Sequence, residues 1–213
     1  MNAAPAFDQR FQETFLELLR WRRDVRHFRA DPIAPEIVEE LVLGASLAPS
    51  VGYSQPWRFV SVESAERRAA IAANFERCNA HALDSYEDER RAGYARLKLA
   101  GLREAPVHLA AFCDEAGEAG SGLGRATMPR TLEYSVAGAI CTLWLLARAR
   151  GIGVGWVSIL DAKEAAQTLD VPAGWTLIAY LCIGYPLEDN VTPELARADW
   201  QAPIDEARRV YKL

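Results

Sequence analysis

Between Phe11 and Trp21 the apolar residues Phe11, Phe15, Leu18 and Leu19 recur at helical intervals, with acidic, amide and basic side chains between them. One apolar stripe at that period predicts a first helix, whose C-terminal end delivers the stretch RRDVRHF, residues 22–28. A turn through RADP leads to a second helical run, PEIVEELVLGAS, with Pro35 suited to its first turn. The next segment, LAPSVGYSQP at 47–56, has two prolines, a glycine and two serines, and so reads as a structured loop feeding a strand over Trp57–Val62.

From 64 to 104 the pattern is helical but densely charged, above all in HALDSYEDERRAGYARLK. That composition suits an exposed excursion more than a core element, and a lid over about residues 83–103 is expected. The runs PVHLAAFCD, IGVGWVSIL and WTLIAYLCIGYP are apolar, partly β-branched or aromatic, and bounded by turn residues, so each predicts a strand. The longest helix is expected from about Pro129 to Arg150, with Leu132, Val136, Ala139, Ile140, Leu143, Leu146 and Ala147 as its apolar stripe. Its small residues Ala137, Gly138 and Ala139 allow a second helix to come close, within the chain or across a dimer. The C-terminal stretch containing Pro193 and Pro203 reads as an extended tail that docks on the rest. Strands interleaved with helices, without repeat or linker, predict one layered domain over residues 1–213.

Composition narrows the function classes. A chain of 213 residues with a net charge of -5 does not present the positive field that a nucleic-acid groove or an anionic membrane surface requires. No apolar run approaches a membrane span and the N-terminal stretch lacks a leader pattern, so a cytoplasmic protein is expected. The four cysteines form no C-x-x-C pair, and Cys113, Cys141 and Cys182 lie in apolar runs, as in a reducing compartment.

Arg22, Arg23 and Arg26 can converge on one anion with bidentate geometry, a phosphate monoester being the natural guest. They can equally be a solvated helix end that complements the macrodipole for about 0.3–1 kcal/mol, and spacing alone does not choose. In LAPSVGYSQPW the Ser50 hydroxyl, the turn at Gly52 and the rings of Tyr53 and Trp57 suit the rim of a ligand, though such a loop is also ordinary punctuation. GSGLGRA misses the third glycine of a dinucleotide fingerprint and no G-K-[ST] occurs. His27, His81 and His108 are isolated and the cysteines lack ligand spacing, so no metal site is expected. No G-x-S-x-G is present, and Ser158 is of interest because it ends a strand that can face a cavity.

Read together, RRDVRHF, LAPSVGYSQPWRFV, GIGVGWVSIL and LCIGYP resemble the nitroreductase superfamily of flavin-binding proteins over nearly the whole chain. RLKLAGLREAPVHLAAFCD, GLGRATMPRTLEYSV and GWVSILD extend the resemblance to the flavin-fragmenting branch of that superfamily. The resemblance implies an α+β fold, a mixed sheet flanked by helices with a lid segment, and a homodimer holding FMN near its interface. It implies that reduced FMN is the substrate, delivered by an external flavin reductase, with dioxygen as co-substrate. The products would be a benzimidazole for the lower ligand of cobalamin and a four-carbon sugar phosphate. Neither metal, nucleic acid nor membrane enters.

Carried over by residue, the resemblance assigns FMN contacts to Arg22, Arg23, Asp24, Val25, Arg26, Ser50, Leu99 and Ser158. Most nitroreductases resemble RRSVR at this point, and Asp24 replaces a hydroxyl with a group that moves protons at neutral pH. Asp24 is therefore expected to act as general base or acid beside the ribityl chain, and Ser158 to orient the reactive edge of the ring. Tyr53 stands where relatives often carry an amide, which leaves less polar room for a nicotinamide. Gln201-Ala202 precede Pro203 where relatives often carry a basic residue, and whether Arg197 takes over that phosphate contact is open. The alternatives are an NAD(P)H-dependent FMN nitro- or enone reductase, and a flavin-binding protein without turnover.

Overall fold

A computed structural model describes residues 4–211; residues 1–3 and 212–213 of the expected 1–213 domain lie outside it. Helix α1 (Gln9–Trp21) starts where the Asp8 carboxylate accepts the Phe11 N–H at 2.8 Å, satisfying one of the donors that a helix start leaves free. It is followed by α2 (Pro35–Ala45), β1 (Trp57–Ser61), α3 (Ala65–Asp84), α4 (Asp88–Ala95) and β2 (Val107–Asp114). The second half holds α5 (Thr131–Ala149), β3 (Gly153–Val157), α6 (Ala162–Leu169), β4 (Trp175–Gly184) and α7 (Glu194–Arg197).

The strands form one sheet in the order β1-β2-β4-β3, every neighbouring pair antiparallel. The parallel component is a bridge between Asp24 and Val154, which lays the segment after α1 along the β3 edge. The central strands are covered on both faces, which is why their sequences read as nearly continuous apolar runs. Leu109, Ala111, Leu181 and Ile183 pack toward α2 and α5 with Leu41, Val136, Ile140 and Leu143. Their alternates Ala110, Phe112, Tyr180 and Cys182 pack toward α3 and α6 with Ile71, Ala165 and Leu169. This is the two-residue alternation of a strand.

Three expectations change. The charged stretch 64–104 is not a single excursion: Ile71 and Asn74 of α3 are fully buried, and only the part from α4 onward departs from the core. Within the chain, the close approach of helices does not use Gly138. It occurs at Gly44 of α2, where an added Cβ would lie 2.2 Å from Leu146 of α5, while among the described residues nothing lies within 4 Å of the Cβ position at Gly138. Finally, α6 was not expected, and the tail is not simply extended, since it holds α7 and a 3-10 turn at Asp205–Arg208.

Candidate functional site

Helix α1 stops at Trp21, and Arg22 already has extended dihedrals (φ -69°, ψ 119°). The Val25 N–H donates to the Val154 carbonyl at 3.0 Å, and Leu187 N–H to the His27 carbonyl at 3.0 Å, so the segment lies between β3 and the chain leaving β4. Glycine makes this possible. A Cβ at Gly155 would lie 2.1 Å from the Val25 carbonyl oxygen, and one at Gly153 would lie 2.8 Å from a Val25 methyl.

In an extended segment alternate side chains share a side, which puts Asp24 with Arg26. Arg26 Nε donates to Asp24 Oδ2 at 2.9 Å, and the Trp156 backbone N–H donates to Asp24 Oδ1 at 2.9 Å. Each carboxylate oxygen thus has one partner and keeps acceptor capacity for another. Arg26 also donates through Nη1 to the Lys98 carbonyl at 2.9 Å, joining this cluster to the irregular stretch after α4.

The three arginines do not converge, because the segment is extended rather than helical. Arg22 lies over the Trp144 ring, 5.0 Å from its centroid. Arg23 donates to the carbonyls of Val191 at 2.7 Å and Arg22 at 2.6 Å. Among the described residues neither Arg22 nor Arg23 has a carboxylate at ion-pair distance. Burial, together with the charge of Arg22, pushes Arg23 below the usual guanidinium value, as expected where positive charge is not balanced. Arg23, Asp24, Arg26, His27, Glu194 and Arg197 line a cavity of about 30 Å³. At its rim Arg197 pairs with Glu188 at 3.0 Å and His27 Nε2 lies 3.3 Å from Glu194.

Ser158 is exposed and sits one residue beyond β3. It follows Trp156 by two residues, a separation of at most roughly 7 Å along the chain. Leu99 is half-buried next to Lys98, so it borders the Arg26 contact. Ser50 stands apart: its hydroxyl accepts the Gln55 N–H at 3.1 Å within its own loop. That loop holds Gly52, Tyr53 and Gln55 at positive φ (58°, 55° and 45°), leaves Tyr53 81% exposed, and buries the Ser54 hydroxyl without a hydrogen-bond partner. Positive-φ backbone and an unpartnered buried hydroxyl thus fall together in one loop.

Sequence reasoning missed the backbone groups that hold Asp24, Arg26 and Arg23 in place: the Trp156 N–H, the Lys98 carbonyl and the Val191 carbonyl, in that order. Backbone groups leave no mark of their own, and the only trace was the paired glycines of GVGWV. It also missed how the tail docks. Trp200 packs edge-on to Tyr86 and Tyr94, at 5.5 and 5.9 Å, and under Arg90 at 3.8 Å, fastening the segment after α7 onto α4.

Among the described residues no cluster of three or more His, Cys, Asp or Glu could hold a metal ion, and no helix is long and apolar enough to cross a membrane.

The chain belongs to the nitroreductase family, whose model matches residues 19–185, from the end of α1 to the residue after β4. It is 58% identical over 202 residues to 5,6-dimethylbenzimidazole synthase of Rhodospirillum rubrum, covering 95% of this chain and 96% of that one. To the 5,6-dimethylbenzimidazole synthase of Rhodobacter capsulatus it is 48% identical over 205 residues, 95% and 99% of the two chains. Among solved structures it resembles oxidised iodotyrosine deiodinase bound to FMN and 3-iodo-L-tyrosine, with a TM-score of 0.70, 24% identity and coverage of 83% and 91%; this likeness is one of fold. The α+β architecture and the family implied by the sequence motifs are those found.

Proposed function

We propose that the chain is a 5,6-dimethylbenzimidazole synthase, which consumes reduced FMN and dioxygen and releases 5,6-dimethylbenzimidazole and erythrose 4-phosphate. The observation that carries this reading is the Asp24 carboxylate, held between the Trp156 N–H and Arg26 on a nitroreductase frame. The two synthases at 58% and 48% identity over nearly their full lengths support it.

The residues fit the ligand. Arg22 and Arg23, without carboxylate partners, suit the phosphate, with Val25 and Arg26 along the polar tail. Ser50, beside the unpartnered Ser54 hydroxyl, suits the ring's polar rim, and Leu99 borders it from the lid side. When bound, reduced FMN supplies the electrons that activate dioxygen. Asp24 accepts or returns a proton on the ribityl side, where Arg26 and the Trp156 N–H keep its oxygens aimed. Ser158 donates a hydrogen bond to the reactive edge. The stretch 83–103, fastened by Trp200 and by Arg26, excludes water.

The working form is a homodimer. Helix α1 buries none of its residues, leaving Phe11, Phe15, Leu16 and Leu19 exposed, and among the described residues nothing lies within 4 Å of a Cβ at Gly138. We place the protein in the cytoplasm, in keeping with four free thiols, and an external flavin reductase supplies its substrate.

The test is to reduce FMN anaerobically with the protein and then admit air. Lasting loss of the flavin absorbance is expected. Full return of the oxidised spectrum, followed by repeated cycling on NAD(P)H, would identify a flavin reductase instead.

A further inference from the structure

We infer that Asn74, on α3 and outside the cluster around Asp24, is a positioning residue for Ser158. This inference rests on the role given to Ser158 above. Asn74 is 1% exposed, and a buried amide is costly unless its donor and acceptor are both matched. Both are matched by one residue: Oδ1 accepts the Asp161 N–H at 2.8 Å and Nδ2 donates to the Asp161 carbonyl at 3.1 Å. Asp161 in turn caps α6, its carboxylate accepting the N–H groups of Lys163 and Glu164 at 3.0 Å each. One side chain therefore fixes where α6 begins and how the preceding residues enter it.

Those preceding residues are Ser158, Ile159 and Leu160. Upstream the chain is held in the sheet, where Val157 pairs with Tyr180, and by the bond from Trp156 to Asp24. Downstream it is held by Asn74. Among the described residues no backbone hydrogen bond fixes Ser158, Ile159 or Leu160 themselves. The place of the Ser158 hydroxyl relative to Asp24 is thus set by two anchors, one on each side, and Asn74 is the downstream one. Ile71, one turn earlier on α3, is apolar and fully buried, so the core at this face does not of itself call for an amide.

The test compares the wild type with Asn74→Asp, Ser158→Gly and the double variant. Asn74→Asp keeps the size and the acceptor but sets an oxygen against the Asp161 carbonyl. In the flavin-free chain, amide exchange at Asp161 and in the first turn of α6, the N–H groups that Asn74 and Asp161 hold, should quicken about 3- to 10-fold, the equivalent of one lost hydrogen bond, with β2 and β4 unchanged. In turnover each single variant should convert a smaller fraction of the consumed reduced FMN to product, and the double variant should do no worse than the poorer single. A merely structural Asn74 would lower the amount of folded protein without changing that fraction. Unchanged exchange at Asp161 and in the first turn of α6, or losses that multiply in the double variant, would overturn the inference. If the wild type itself yields no benzimidazole, the functional reading fails, and the exchange measurement still decides whether Asn74 anchors the Ser158 segment. Should Asn74→Asp not fold, Asn74→Ser removes both bonds with a smaller side chain and serves in the same assays.

Discussion

The Asp24 carboxylate accepts the backbone N–H of Trp156 at 2.9 Å, although 132 positions separate the two residues. This bond makes the acid part of the β3 edge, and Arg26 on the other oxygen completes its setting. An acid held in this way cannot swing aside when a ligand arrives, which is what proton transfer at a fixed atom requires.

Gly155→Ala tests the contact that seats the segment. The new Cβ would stand 2.1 Å from the Val25 carbonyl, so the backbone must move. A loss of about 1–3 kcal/mol of stability, read from denaturant melts, is expected, as for an overpacked core. FMN affinity, followed by flavin fluorescence, should weaken by at least about tenfold, corresponding to ~1.4 kcal/mol.

Gly138→Trp tests the dimer. Among the described residues nothing lies within 4 Å of the added Cβ, so helix content should be preserved. Light scattering should show the wild type as a dimer and the variant shifted to monomer. A monomeric wild type would contradict the proposed interface.

Much of the fold was legible in the sequence because its signals are periodic. Helix α5 and the doubly covered strands β2 and β4 announce themselves by long apolar patterns, and their observed bounds lie close to those expected. Helix α6 did not, because eight residues give barely two turns of pattern. Its sign was chemical: Asp161 with Glu164 three residues on, a capping pair. The oddity of Asp24 was legible; its partners were not, since no periodicity gives the register of a lone segment against a distant strand. For the same reason the three arginines looked convergent on a helix and are dispersed on extended chain.

Trp200→Ala tests the lid. The indole gathers Tyr86, Tyr94 and Arg90, contacts of about 0.5–1.5 kcal/mol each. Its loss should speed limited proteolysis between α3 and β2 and raise the peroxide released per flavin consumed. Unchanged peroxide would mean that this stretch does not exclude water.

His108 gives a pH dependence of stability. Its Nδ1 lies 2.9 Å from the Tyr180 hydroxyl, and burial, with the charge of Arg68 nearby, lowers the imidazole from 6.5 to about 4. Between those values the unfolded chain binds a proton that the folded chain refuses, so stability is full above 6.5 and falls as the pH drops toward 4. The loss is about 3 kcal/mol, to be read from denaturant melts across that window. His108→Gln should flatten that part of the profile.

The role of Asp24 is tested most directly by mass spectrometry of the products from reduced FMN in air, wild type beside Asp24→Asn. Both proteins should bind FMN; the wild type should give 5,6-dimethylbenzimidazole, and the variant a rate lower by about 10² to 10⁴, the usual contribution of a general base. Equal product from Asp24→Asn, or nothing but intact FMN and peroxide from the wild type, would contradict it.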